Sequence, residues 1–222
     1  MRVLAISVHP DDETLGCGGT LLRHHAGGDS LFWLIVTQAY EPMWSADVIA
    51  RKSAEVERVA SAYAFEWVMR LGMPTARLDT VPQNDLIAPL RDAISEVRPE
   101  VVYVVHGGDV HTDHGVVFTA TMSVLKPFYM ARLGVHRILC YETLSSTDAA
   151  PILPGRQFMP VVYRDISSFI DRKIEIMSFY ETEYQADPMP RGPASIRALA
   201  RHRGATLGVD YAEAFMLIRD VE

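Results

Sequence analysis

Near its start the chain places a histidine, a proline and three consecutive acids in one run, His9-Pro10-Asp11-Asp12-Glu13. They follow directly on Val3-Leu4-Ala5-Ile6-Ser7-Val8, an apolar stretch that reads as a buried parallel strand. Acids at the mouth of such a strand are costly to hold near a core unless something compensates their charge. A divalent cation would do so. His9 and Asp12 are donors of the kind zinc accepts, and their short spacing lets both reach one ion from a turn. A second reading is that the acids cap the helix that follows, since Asp and Glu favour helix N-termini. The local pattern leaves both readings open.

A second concentration of the same residue types comes a hundred residues later. In His106-Gly107-Gly108-Asp109-Val110-His111-Thr112-Asp113-His114, three of the eight histidines fall within nine residues, with two aspartates between them. Whether the two clusters meet depends on the elements that carry them. Strands are expected over Met1 to Val8, Ser30 to Thr37, Glu66 to Leu71 and Val101 to Val105. Helices are expected from Leu21-Leu22 to about Gly27-Gly28, over Asp47 to Tyr63, and around Leu86 to Val97. This alternation of mostly unbroken apolar strands with helices predicts a Rossmann-like α/β fold, a mainly parallel sheet sandwiched between helices. In the common order 3-2-1-4-5, strands 1 and 4 are neighbours at the switch point, and ligands bind beyond their carboxyl ends. Both clusters lie there, which favours a metal site at the carboxyl ends of strands 1 and 4.

The rest of the chain is less regular. A helix is expected from about Gly115 to Lys126, a fifth strand over Arg137 to Tyr141 and a short edge strand at Val161 to Tyr163. A long helix is expected over Ile166 to Tyr184, another over Ala194 to His202, and a last strand over Tyr211 to Ile218. The 222 residues read as a single domain, 1–222, with no internal repeat. The formal net charge of −7 comes with no basic cluster, which argues against a nucleic-acid partner. No apolar run reaches the length of a membrane span, and the opening residues, a single Arg and then a strand, are expected not to form a signal peptide. Only two cysteines, Cys17 and Cys140, are present, which fits a reducing cytoplasm.

At His9-Pro10-Asp11-Asp12-Glu13 and His111-Thr112-Asp113-His114 the sequence resembles the PIG-L/LmbE-like family of zinc-dependent N-deacetylases. The first motif matches the family's HPDDE without change, and the second is similar to its HPDH, with Thr112 in place of proline. Arg51-Lys52…Glu55, Pro99-Glu100-Val101-Val102, Tyr141-Glu142-Thr143 and Ala212-Glu213-Ala214-Phe215 are weaker family features. The resemblance implies hydrolysis of an acetamide on an amino sugar. It implies zinc on His9, Asp12 and His114, with Asp11 as general base. It also implies His111 as general acid or oxyanion stabiliser, with Asp113 orienting it. Iron(II) or another divalent metal accepts the same donors. The chemistry agrees, because three protein ligands and an open position bring the pKa of bound water to about 7.

The expected substrate is a small-molecule N-acetyl amino sugar, free or as a glycoside or nucleotide conjugate. Arg51, Lys52, Asp79 and His106 are candidates for binding it, and Trp44 for a wall of its pocket. Glu142 and Glu213, at strand ends, are candidates for orienting a ligand histidine. An amidase acting on a larger N-acyl or thiol-derived sugar conjugate is the alternative enzyme. A nucleotide- or sugar-binding module is a third reading, but Gly16-Cys17-Gly18-Gly19 is no GxGxxG, and the acids would repel a phosphate. A homo-oligomer is left open.

Overall fold

The structure, a computed structural model, describes residues 1–221. Its frame is a seven-stranded sheet in the order β3-β2-β1-β4-β5-β7-β6. The strands are β1 (Arg2–Ser7), β2 (Ser30–Gln38), β3 (Trp67–Pro74), β4 (Val101–Val105), β5 (Arg137–Tyr141), β6 (Val162–Asp165) and β7 (Ala212–Asp220). The helices are α1 (Asp12–Ala26), α2 (Ala46–Tyr63), α3 (Gln83–Val97), α4 (Thr112–Val124), α5 (Pro127–Leu133), α6 (Ile170–Met177) and α7 (Pro193–Leu207), with a 3-10 turn at Leu78–Thr80. The first five strands are parallel and follow the expected order; β7 runs antiparallel to both β5 and β6.

Burial on both faces explains the unbroken apolar strands. Val3 to Ile6 of β1 and Val102 to Val105 of β4 are fully buried and lie in register, Leu4 opposite Val102 and Ile6 opposite Val104. Each such side chain contributes ~1.5–3 kcal/mol through the apolar surface it removes from water. β1 and β4 therefore end side by side, and α1 and α4 begin just beyond them. Two helix N-termini point into the crevice that the strand order creates.

The Gly16-Cys17-Gly18-Gly19 run serves close packing. A Cβ on Gly16 would collide with the ring of Tyr141, and one on Gly19 would sit 2.7 Å from Ile166 Cδ1. The carboxylate of Glu213 reaches the same backbone and accepts from Gly19 N and Thr20 N at 2.8 and 2.7 Å. Lys173 completes that contact, donating to Leu15 O and to Glu213. Glu213 thus anchors α1 and orients no histidine. Glu142 likewise forms a two-pronged ion pair with Arg203.

The second half departs from expectation in two places. The helix expected over Ile166 to Tyr184 is only α6. Before it, Ile166 and Ser167 are drawn into backbone and hydroxyl bonds with Tyr211. After it, turns at Phe179, Tyr180 and Glu183 carry the chain out to the crevice. The segment after Lys126 forms the extra helix α5, with Pro127 at its start, where a missing N–H costs nothing. No described helix is long and apolar enough to cross a membrane.

Candidate metal centre

The two motifs meet. His9, His111 and His114 each offer a ring nitrogen within 4.8 Å of the others. His9 Nδ1 lies 3.4 Å from His114 Nε2, Asp12 Oδ1 lies 3.5 Å from His114 Nε2, and Asp12 Oδ2 lies 3.7 Å from His9 Nδ1. Two donors held at about 2.0–2.1 Å from a tetrahedral zinc are roughly 3.3–3.4 Å apart. The two histidine nitrogens lie at that separation, and the two oxygens of Asp12 reach one of them each at slightly greater distances. Asp12 Oδ2 also accepts the backbone N–H groups of Val8 and His9, at 3.0 and 2.8 Å. Those bonds hold the carboxylate at the head of α1 with Oδ1 toward His114.

Each of the two ring nitrogens turned away from this centre faces a carboxylate. His9 Nε2 is 3.3 Å from Asp113 Oδ2, and His114 Nδ1 is 3.1 Å from Asp109 Oδ2. A proton on the carboxylate side leaves the lone pair of the other nitrogen free for a cation. The family resemblance gives Asp113 the task of orienting His111. Its carboxylate instead supports His9 and accepts from Ala76 N and Leu78 N, at 2.6 and 3.1 Å. The reason is direction: Asp113 and His114 sit in the first turn of α4, and Asp113 points across to the turn after β1 and the loop after β3. Asp109, which sequence reasoning passed over, is almost fully buried and also accepts from Thr147 Oγ1 and from His111 N. Burial opposes its ionisation, but His114, His111 N–H and Thr147 outweigh that and lower its pKa. Burial likewise opposes protonation of His114, yet the charges of Asp12 and Asp109 raise its pKa on balance.

His111 caps α4. Its Nδ1 accepts the backbone N–H of Asp113 at 3.3 Å, so in the neutral ring the proton is on Nε2. Burial, with the nearby His9 and His114 rings, pushes its pKa down to about 4. Of its two expected roles, a neutral Nε2–H donor to an oxyanion fits this position better than a protonated acid.

The three consecutive acids divide their tasks. Glu13 is fully buried and accepts from Ser7 Oγ, Asp11 N, Thr14 Oγ1 and Tyr180 OH, and so is a structural hub. Asp12 faces the histidines. Asp11 precedes the first turn of α1 at φ 121°, a strained backbone for a non-glycine residue. Its carboxylate is buried and accepts from Arg191 Nη1 at 3.2 Å. Burial, then Asp12 and Glu183, raise its pKa well above the usual carboxylate range, with Arg191 opposing them.

A cavity of about 500 Å³ opens from His9, Asp11, Asp12, His111 and His114 toward Trp44, Lys52, Arg70, Leu144, Glu183 and Arg191. Of the four substrate-binding candidates only Lys52 lines it, and its ammonium is already paired with Glu183 and Thr182. Arg51 is exposed on α2, one residue round the helix from the cavity face. Asp79 is exposed on the 3-10 turn, where Leu78 is the residue that points inward. His106 is buried beneath the site, its Nε2 2.9 Å from Arg156 O and its Nδ1 3.8 Å from Cys140 Sγ. Trp44 does form part of the wall.

The model of the PIG-L family, described as GlcNAc-PI de-N-acetylase, matches residues 4–125, more than half of the chain and all of both motifs. The chain is 29% identical over 169 residues to YaiS, an uncharacterized deacetylase of Escherichia coli (strain K12), across 74% of this chain and 81% of that one. It is 25% identical over 250 aligned positions to the 1D-myo-inositol 2-acetamido-2-deoxy-alpha-D-glucopyranoside deacetylase of Rhodococcus jostii (strain RHA1), across 84% and 83%. The crystal structure of the conserved protein TT1542 from Thermus thermophilus superposes with a TM-score of 0.78 at 27% identity, across 99% of this chain and 96% of that one.

Proposed function

The chain belongs to the PIG-L family of de-N-acetylases, and we propose that it is a metal-dependent hydrolase acting on the acetamide of an N-acetylated amino sugar, free or as a glycoside or nucleotide conjugate. The observation that carries this reading is the convergence of His9, His114 and the Asp12 carboxylate: His9 Nδ1 and His114 Nε2 lie 3.4 Å apart, with Asp12 Oδ1 3.5 Å from His114 Nε2 and Asp12 Oδ2 3.7 Å from His9 Nδ1. Two histidines and a carboxylate suit zinc first, and iron(II) as well. Such an ion would supply Lewis acidity, bringing the pKa of a water to about 7 and polarising the amide carbonyl.

The chain's own residues do the rest. Asp11 stands beside Asp12, free of ligand duty, and takes the proton of the attacking water. His111 donates from Nε2 to the carbonyl oxygen as negative charge develops there. Water oxygen joins the carbonyl carbon, the carbon–nitrogen bond breaks, and the proton held on Asp11 is the one the departing amine needs. Asp113 and Asp109 keep the rings of His9 and His114 turned so that these events share one centre.

A cavity of about 500 Å³ is in the range of small-molecule sites and leaves room beyond one acetamide for a sugar with a further group. Trp44 gives it a flat apolar wall, suited to a sugar face. The test is acetate release from N-acetylglucosamine, nucleotide sugars and simple glycosides by the metal-loaded protein. Release of acetate supports the reading. Cleavage of longer acyl groups with no acetate from any of these compounds would point to the alternative amidase.

A further inference from the structure

We propose that Arg191 is the positioning residue of the reaction, holding the carboxylate of Asp11 in the direction its work as base requires. The inference rests on the reading of Asp11 given above. The three consecutive acids are unequally partnered. Asp12 Oδ2 takes two backbone N–H groups, and Glu13 takes four donors. Among the described residues Asp11 has one partner for its carboxylate, Arg191 Nη1 at 3.2 Å on Oδ2. Oδ1 is left for the crevice. A carboxylate on a strained backbone, with no backbone donor to fix its torsion, needs that one partner to stay aimed.

Arg191 is itself held from behind. The same Nη1 donates to Glu183 Oε2 at 2.5 Å, and the Arg191 backbone N–H donates to Gln185 Oε1 at 3.2 Å. Glu183 pairs in turn with Lys52 of α2, whose ammonium also donates to Thr182 Oγ1. Thr182 gives both its N–H and its hydroxyl to the buried carboxylate of Glu55, at 3.0 and 2.8 Å. A continuous polar chain therefore runs Asp11–Arg191–Glu183–Lys52–Thr182–Glu55. It fastens the segment between α6 and α7 to the site on one side and to α2 on the other. Lys52 acts here as a brace between that segment and α2.

The test is a double-mutant cycle read in steady-state acetate release from N-acetylglucosamine or its methyl glycoside, with metal content measured on every variant. Arg191→Gln is expected to lower kcat by roughly ten- to a hundredfold, as a misplaced catalytic group does. KM should change little and metal occupancy should stay that of wild type. Arg191→Lys should recover part of the loss, since an ammonium can still reach one oxygen. In the Asp11→Asn background, Arg191→Gln should cost almost nothing further. If Arg191→Gln unfolds, Arg191→Lys and Glu183→Gln carry the same cycle. A rise in KM with unchanged kcat would make Arg191 a substrate contact and overturn the proposal. So would an equal loss in the wild-type and Asp11→Asn backgrounds. An Asp11→Asn enzyme with unchanged kcat would instead overturn the reading of Asp11, and this inference with it.

Discussion

Asp113 Oδ2 lies 3.3 Å from Nε2 of His9, a residue 104 positions earlier in the chain. The same carboxylate accepts from the backbone at Ala76 and Leu78. One buried side chain thus ties together the turn after β1, the loop after β3 and the first turn of α4. Asp113→Ala should loosen the His9 ring and weaken metal binding by roughly ten- to a hundredfold. A chelator-competition titration measures it. Unchanged metal affinity with only a fall in kcat would mean that Asp113 acts on His111 after all.

Asp109 faces His114 in the same way, its Oδ2 lying 3.1 Å from His114 Nδ1 and accepting from Thr147 Oγ1. Thr147→Val removes that hydroxyl and leaves Asp109 to hold the ring alone. A smaller loss of metal affinity than for Asp109→Ala is expected in the same titration. An affinity at Asp109→Ala equal to wild type would remove Asp109 from the site.

His111→Ala should keep its metal and lose kcat by about a hundredfold, through loss of a donor to the developing oxyanion. It should also lose about 1 kcal/mol of stability, because Nδ1 caps the N-terminus of α4. Denaturant unfolding separates the two effects. Loss of metal in this variant would make His111 a ligand.

His24 offers a pH test away from the site. Its Nδ1 is 2.6 Å from Asp29 Oδ2 and its Nε2 3.0 Å from Tyr103 OH. Burial lowers its pKa from 6.5, outweighing the opposing pull of Asp29. A histidine held neutral in the fold binds its proton more readily when unfolded. The stability it contributes is therefore present above its unfolded pKa and lost as pH falls through its folded one. His24→Gln should show a shallower loss of thermal stability than wild type below about pH 6.5. Parallel curves would contradict this.

What was legible in the sequence follows from how local the signals are. β1, β2 and β4 are nearly continuous apolar runs, and the crevice rule then places His9-Pro10-Asp11-Asp12-Glu13 beside His111-Thr112-Asp113-His114. Glu142 and Glu213 could not be read the same way. Both carry the right chemistry at strand ends, but their partners, Arg203 and the backbone of α1, are set by packing from far along the chain. Arg191 was hidden for the same reason: it is 180 positions from Asp11, in a Pro-rich loop with no periodic pattern. The overlong helix at Ile166 to Tyr184 came from a helical pattern that tertiary bonds to Tyr211 cut short at its start.

The glycines of α1 give a stability test of the packing beneath the site. Gly16→Ala would drive a methyl group into the Tyr141 ring, whose hydroxyl donates to Ile6 O at 2.9 Å. Overpacking of this kind costs ~1–3 kcal/mol or more. Gly115→Ala is the control, since its Cβ would meet only Gly107 O, at 3.5 Å. The two variants should separate clearly in denaturant midpoint, and equal midpoints would show that α1 does not lean on Tyr141.

In the proposed function His9, Asp12 and His114 hold one catalytic cation. The most direct measurement strips the protein with a chelator and titrates zinc back while recording acetate release from an N-acetylglucosaminide. Activity should be absent after stripping and should reach a plateau at about one ion per chain, as a single three-ligand site requires. His9→Ala, Asp12→Ala and His114→Ala should show neither tight binding nor recovery. Full activity in the stripped protein, or stoichiometric zinc in any two of these variants, would contradict the account.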